Sequence, residues 1–360
     1  MNILQISSAS SFGGGERYVA DLTNALVARG HDVYVAVRPG SPLPPHLQLS
    51  PEKILTLPLR NALDVQTARE LEKFVRRKAI DVVHAHMARD YSLASYAARR
   101  NHQTKFIATR HVLFKLNRLH RHTLARATRV IAVSQAVARE LRASQIVSND
   151  QIAVIHNGID VDRIKRTCDG LHPGLFLSTI GMPGGGPLVG SIGELRTLKR
   201  HDDFIRAAAI ILKEFPETQF VLAGVGEIRE QLEKLVAELG LTDHFHFLGW
   251  RDDADKLLCA MDVFVSASET ESFGLAIVEA MAAGTAVVAT ATEGAQEIID
   301  DQKTGLLVPI GDVKSIAQSV IDLLADPERR RTIATQSVQS AAKKFSLTRM
   351  VDEIEKIYVS

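Results

Sequence analysis

Cysteine is almost absent, with 2 residues, Cys168 and Cys259, in 360. That count excludes a disulfide scaffold, supplies no metal-ligand spacing and fits a reducing compartment. Aromatic residues make up only 5 % with a single tryptophan, and no nucleic-acid-binding motif occurs, so nucleic acid is not an expected partner. Long apolar runs are missing too. Residues 273–292 carry one charge, Glu279, but Gly284 divides them into a short alanine-rich helix and the β-branched strand Thr285–Ala289. Such a pattern belongs to a buried α/β core rather than a membrane span. The start, Met1–Ile6, has no basic segment and too short an apolar run for a signal peptide. The dinucleotide fingerprint is also lacking. Gly13-Gly14-Gly15 has no later glycine in register, and Gly224-Val225-Gly226-Glu227-Ile228-Arg229 ends on arginine where glycine or alanine is needed. A nicotinamide-dependent oxidoreductase is therefore disfavoured.

What is present is an ordinary soluble composition, 46 % apolar and 24 % charged with a net charge of +1. At roughly 150 residues per domain, this length suggests two domains. Cutting the chain at residue 165 exposes an asymmetry: 24 Lys+Arg stand against 13 Asp+Glu before it, and 19 against 29 after it. Halves of opposite sign suggest different partners.

Short apolar runs alternate with amphipathic segments throughout. Strands are expected at Asn2–Ile6, Asp32–Val37, Val82–His84, Lys105–Ala108, Val130–Val133 and Ile152–Ile155, then at Leu188–Ile192, Gln219–Ala223, Phe245–Leu248, Val263–Ala267 and Ala286–Ala289. Helices are expected between them, among others at Gly15–Arg29, Val65–Lys78, Ser134–Leu141, Asp202–Glu214 and Ile228–Leu239. Apolar strands separated by helices imply parallel sheets covered on both faces, hence two doubly wound α/β domains. The glycine- and proline-rich stretch 169–187 reads as a linker between a domain at 1–168 and a second at 188–342, with a final helix at 343–360 that packs back on the first.

Residues 266–284 are the most informative. Ser272 is the expected N-cap of a helix from Phe273 to Ala283, after the strand Val263–Ala267. Gly274 in a first turn costs about 1 kcal/mol relative to alanine, which a phosphate approaching the free N–H groups would explain. Glu271 and Glu279 suit vicinal hydroxyls, because an ionised carboxylate only accepts. Alternatively, they are a first-turn dipole partner and a structural acid. Arg196, Lys199 and Arg200 follow the strand Leu188–Ile192 and could grip a diphosphate, or form a solvated basic turn. In the first half, Gly14 and Gly15 either permit close backbone approach to a ligand or form a tight turn, and His111, after a strand edge, is either a base or orienter for a reacting hydroxyl or a structural histidine. His84 and His86 are weaker candidates. Asp253-Ala254-Asp255 is expected to cap and charge-pair a helix start rather than bind metal.

In their order, these residues resemble glycosyltransferase family 4. The resemblance rests on the Glu-x7-Glu spacing from Glu271 to Glu279, with Phe273-Gly274-Leu275 inside it and Ala280-Met281-Ala282-Ala283-Gly284 after it. It is extended by Gly13-Gly14-Gly15-Glu16-Arg17, Asp81-Val82-Val83-His84-Ala85-His86, His156-Asn157-Gly158-Ile159-Asp160, Phe247-Leu248-Gly249-Trp250 and Thr304-Gly305-Leu306-Leu307-Val308. The resemblance implies a GT-B fold, two Rossmann-like domains facing each other across a cleft, with the acceptor domain first and the donor domain second. It implies a retaining transfer of sugar from a nucleoside diphosphate, most often uridine diphosphate, to a hydroxyl of a glycan or lipid-linked acceptor in cell-envelope polysaccharide or lipopolysaccharide assembly, without a metal. By that resemblance Glu279 holds the donor ribose and Glu271 the donor sugar. Backbone amides of Phe273, Gly274 and Leu275 meet sugar and phosphate, and Gly14 and Gly15 close on the diphosphate. Lys199 binds phosphate, and His111 lies near the reacting centre. The chain departs from the family where Glu194 replaces an arginine, leaving Arg196 as the substitute cation, and where Ala286 and Glu293 replace a proline and a glycine. A sugar-nucleotide epimerase and a non-catalytic sugar-nucleotide-binding protein are the competing classes.

From Tyr91 to Arg139 there are ten Lys+Arg and no acid, and His102, His111, His120 and His122 fall in the same stretch. Phe114, Leu116, Leu119 and Leu124 interleave with Lys115, Arg118, Arg121 and Arg126 as in a basic amphipathic helix. The expectation is a cytoplasmic protein whose residues 91–139 either touch an anionic membrane or form a solvated basic face.

Overall fold

The computed structural model describes residues 1–99, 103–117 and 120–360; His102, Arg118 and Leu119 of the basic stretch lie outside the described residues. The chain divides into two compact units, Met1–Gly158 with Leu347–Ser360, and Ile159–Ser346.

In the first unit β1 (Asn2–Ser7), α1 (Gly14–Ala28), β2 (Asp32–Val37), β3 (Ile54–Thr56), α2 (Val65–Arg77), β4 (Val82–Ala85), α3 (Tyr91–Ala98), β5 (Lys105–Arg110), α4 (His120–Leu124), β6 (Arg129–Ala132), α5 (Gln135–Ser144) and β7 (Ile152–Val154) follow one another. Their strands form one parallel sheet in the order β3-β2-β1-β4-β5-β6-β7. The strands are apolar on both sides because helices cover both faces. Ile3, Val33, Val82, Ile107 and Ile131 are buried to within 1 % of completely, as are Leu22 and Leu26 of α1. Each fully buried side chain of this size contributes about 1.5–3 kcal/mol.

The second unit runs α6 (Val161–Asp169), α7 (Pro173–Thr179), β8 (Leu188–Ile192), α8 (His201–Glu214), β9 (Gln219–Ala223), α9 (Arg229–Glu238), β10 (Phe245–Gly249), α10 (Ala254–Ala260), β11 (Val263–Ser266), α11 (Leu275–Ala282), β12 (Ala286–Thr290), α12 (Glu293–Ile298), β13 (Leu306–Val308), α13 (Val313–Ala325) and α14 (Pro327–Lys344). Its parallel sheet has the order β10-β9-β8-β11-β12-β13. Phe204, Phe220, Val265, Val288 and Leu323 lie at the centre of its core. The last helix, α15 (Leu347–Val359), belongs to the first unit, where Met350, Val351, Ile354 and Tyr358 are buried in the core.

Several expectations require correction. Residues 159–168 belong to the second unit: Ile164 is fully buried, Arg163 is ion-paired with Asp255, and Cys168 is disulfide-bonded to Cys259 with Cα atoms 5.3 Å apart. The cysteines are therefore paired, across 91 positions that give no sequence signal. The stretch 169–187 contains α7, with Phe176 buried, and is not a bare linker. Asp253 precedes α10 without capping it; its carboxylate instead takes two hydrogen bonds from Arg251 at 2.7 and 2.8 Å. The expected basic amphipathic helix is not formed at 111–117, which is loop, and the next helix among the described residues is α4. The Asn117 side chain accepts from the ring of His120, the first residue of α4, at 2.7 Å.

Candidate functional site

Each sheet has one place where the strand order reverses, between β1 and β4 and between β8 and β11. Loops leaving the carboxyl ends of such neighbours diverge and leave a crevice, the usual ligand site of open α/β sheets.

In the second unit the two loops carry Lys199 and Glu271. Lys199 Nζ lies 2.5 Å from Glu271 Oε1, which also accepts from Ser268 Oγ at 2.9 Å. The loops are joined by backbone, Glu269 N–H donating to Leu198 O at 2.9 Å. Thr290 Oγ1 fixes the second loop from the end of β12 by donating to Ser268 O at 2.6 Å. The first loop is shaped by glycines in the next connection: a Cβ on Gly224 would stand 1.8 Å from Gly193 O, and one on Gly226 would stand 2.3 Å from Leu195 O. The Gly224–Gly226 motif therefore serves close packing of two loops. His201 lies beneath, its Nε2 3.2 Å from Glu194 O, and burial pushes its pKa down to about 4.

The expected cap at Ser272 is not found. Gly274 is the residue before α11, with φ +113°, a left-handed conformation that glycine adopts freely. The helix starts at Leu275, so the N–H groups of Leu275 and Ala276 fall in a first turn whose own ladder offers no acceptor. Phe273 is 3 % exposed and packs edge-on against Phe345, ring centroids 5.6 Å apart. Its side chain is an anchor, and only its backbone remains for a ligand. Beneath the loop, a Cβ on Gly294 would come within 2.5 Å of Phe273 O and 2.7 Å of Glu271 O. Gly294, at the start of α12, is a shaping residue that sequence reasoning missed. Glu279 is half-buried on the second turn of α11. Neither acid is sealed inside the core, Glu271 keeping 14 % of its side chain exposed.

Two cations are differently engaged. Arg196 Nε pairs with Glu194 Oε1 at 2.8 Å, both side chains about half exposed, an arrangement that contributes little to stability. Arg200, with φ +48°, turns to Asp203 at 2.6 Å. The structure therefore brings Lys199 to Glu271 and leaves Arg196 with the residue that replaces the family arginine.

In the first unit α1 starts at Gly14, and Gly13 N–H donates to Glu16 Oε2 at 3.0 Å. A Cβ on Gly15 would stand 4.0 Å from the His111 ring, an ordinary contact, so the start of α1 lies beside His111. Tyr18 packs edge-on against the same ring, centroids 4.7 Å apart. Burial, with the Arg110 guanidinium adding to it, pushes the His111 pKa down to about 3. Sequence reasoning joined Gly14, Gly15 and His111 only through resemblance; the fold brings them to one sheet edge. Among the described residues no group of three or more His, Cys, Asp or Glu could hold a metal ion, and no helix is long and apolar enough to cross a membrane.

The chain is similar to known proteins over nearly its whole length. A sequence model described as Glycosyltransferase Family 4 matches residues 12–163, and one described as Glycosyl transferases group 1 matches residues 178–339. The lipopolysaccharide core biosynthesis glycosyltransferase LpsE of Rhizobium meliloti is 29 % identical over 97 % of this chain and 96 % of its own. N-acetyl-alpha-D-glucosaminyl L-malate synthase of Bacillus anthracis is 29 % identical over 82 % of this chain and 78 % of its own. Among solved structures, a glycosyltransferase from Rickettsia africae superposes with a TM-score of 0.88 at 23 % identity, covering 99 % of this chain and 97 % of that one. Anabaena Alr3699/HepE, in complex with UDP and glucose, gives 0.84 at 22 % identity over 99 % and 98 %. Two parallel sheets matched by one sequence model each, and likeness to glycosyltransferases over nearly the whole length, place this chain in glycosyltransferase family 4, as a transferase with the GT-B fold.

Proposed function

We propose that the protein is a retaining glycosyltransferase that takes a sugar from a UDP-sugar and delivers it to a hydroxyl of a glycan or lipid-linked acceptor in cell-envelope polysaccharide or lipopolysaccharide assembly. The observation that carries this reading is the meeting of Lys199 and Glu271 at 2.5 Å beside the first turn of α11. A diphosphate seated on that turn gains the helix dipole and the Lys199 charge, and Glu271 and Glu279 supply acceptors for sugar and ribose hydroxyls. As the bond from the anomeric carbon to phosphate oxygen breaks, negative charge grows on the diphosphate, and a fixed cation stabilises it. The acceptor oxygen bonds the anomeric carbon on the face the phosphate leaves, and its proton passes to the departing phosphate. No step in this reading requires a metal.

The relatives support the substrate class. The Rhizobium protein is named for lipopolysaccharide core synthesis, and HepE has been crystallised with UDP-glucose. The first unit would receive the acceptor. Its exposed Phe114, 68 % accessible, lies in the cation-rich stretch 91–139, which suits an anionic membrane surface. Thermal shifts against UDP-, GDP- and ADP-sugars test the reading, because a ligand specific to the folded form stabilises by RT ln(1 + [L]/Kd). One UDP-sugar standing well above its guanosine and adenosine counterparts is the expected result; equal or absent shifts would overturn it.

A further inference from the structure

A chain of buried polar groups in the first unit leads to His111. Gln5 interrupts the apolar run of β1 and is fully buried. Its Nε2–H donates to Tyr358 Oη at 3.3 Å, and Tyr358 Oη lies 2.6 Å from His84 Nδ1. His84 Nε2 in turn lies 2.6 Å from Thr109 Oγ1. On its other side, Gln5 Oε1 lies 2.6 Å from His86 Nε2, and His86 Nδ1 lies 3.5 Å from His111 Nε2.

The chemistry of the groups fixes the protons. An amide oxygen only accepts, so His86 carries its hydrogen on Nε2. A neutral imidazole protonated there has a bare Nδ1, which also only accepts. His111 must then donate from Nε2, and its own Nδ1 is left without a hydrogen. A second proton on these rings is opposed by burial, which holds His84 and His111 near a pKa of about 3. A ring that weakly basic orients a hydroxyl rather than removing its proton.

We infer that Gln5 and His86 are positioning residues that lock His111 as its Nε2–H tautomer, so that Nδ1 accepts a hydrogen bond from the acceptor hydroxyl. The identity of that hydroxyl rests on the transferase reading above; the lock does not. With the attacking oxygen so held, it bonds the anomeric carbon as the bond from that carbon to phosphate breaks, and its hydrogen turns from His111 Nδ1, too weakly basic to keep it, to the departing phosphate oxygen.

Imidazole nitrogen NMR of the ligand-free full chain tests the lock, with the His111 signals assigned by their loss in His111→Phe. His111 in the unsubstituted protein should show the Nε2–H pattern. Gln5→Glu keeps an acceptor oxygen and should retain it, whereas Gln5→Leu and His86→Phe should give a mixture of tautomers. An Nδ1–H or doubly protonated His111 at neutral pH overturns the inference without recourse to any variant, as does an unchanged pattern in both Gln5→Leu and His86→Phe. Kinetics test the hydroxyl: His86→Phe should raise the acceptor KM about tenfold, the worth of one hydrogen bond, while donor KM stays constant. A released tautomer with unchanged acceptor KM overturns that half of the inference. Absence of sugar transfer by the unsubstituted protein would instead overturn the transferase reading, with the NMR result still deciding the lock.

Discussion

Lys199 and Glu271 lie 2.5 Å apart on loops that leave the neighbouring strands β8 and β11. They are 72 positions apart in sequence, yet the sheet order makes them neighbours at the point where it reverses. In the proposed reaction, a cation held there by a carboxylate would be oriented before the diphosphate binds. Replacing Lys199 with methionine should therefore lower turnover about 100- to 1,000-fold, the usual cost of one electrostatic donor at a transition state. Steady-state kinetics on a protein of unchanged circular dichroism measures this.

In the proposed reaction Glu279 serves donor binding rather than the bond-breaking step. Glu279→Ala should raise the donor Kd by about 10- to 100-fold, the range for a hydrogen bond to a charged group. Isothermal titration with UDP should register the loss, and turnover at saturating donor should change little.

Gly294 touches no ligand in this account, yet it sets the path of the 271–273 loop. A methyl group there would stand 2.5 Å from Phe273 O, and neither backbone is free to give way cheaply. Gly294→Ala should destabilise the protein by about 1–3 kcal/mol, as overpacking does, and should weaken donor binding as well. Gly240→Ala, where a Cβ meets nothing but φ is +70°, should cost stability alone.

These relationships show what the sequence makes legible. The β8 and β9 strands match expectation residue for residue, because each is an apolar run bounded by turn residues. The edge strands β3 and β13 are three residues long, too short for a period. Gly274 and Gly294 could be marked as unusual, but a positive φ and a neighbouring carbonyl are three-dimensional facts. Gln5 and His86 left a usable signal: Gln5 is the register partner of His84 on β4, and His86 follows one residue past the end of that strand. Buried polar side chains require partners: Gln5 meets His86 directly and reaches His84 through Tyr358.

Two titrations should shape stability in opposite directions. Burial pushes Asp90 up to about 7, from an ordinary value of 3.8. The fold therefore binds a proton that the unfolded chain releases, and this contribution is full below pH 4 and lost as pH rises toward 7. His84 and His111, held near 3 against 6.5, act the other way, stabilising above pH 6.5 and losing that contribution as pH falls. Melting curves of Asp90→Asn should accordingly gain most over the unsubstituted protein at pH 8, with the difference shrinking toward pH 5.

The disulfide between Cys168 and Cys259 closes a loop of 91 positions. By chain entropy alone such a link is worth up to about 5 kcal/mol. Dithiothreitol should lower the melting temperature of the native chain and leave the Cys168→Ser, Cys259→Ser double variant unmoved.

In the proposed reaction the activated sugar sits at the reversal point of the second sheet, between the Lys199 loop and the start of α11. Hydrogen–deuterium exchange with and without the UDP-sugar selected by thermal shift tests it most directly. Protection should concentrate in residues 193–200 and 267–280. Binding without protection in either segment would contradict the claim.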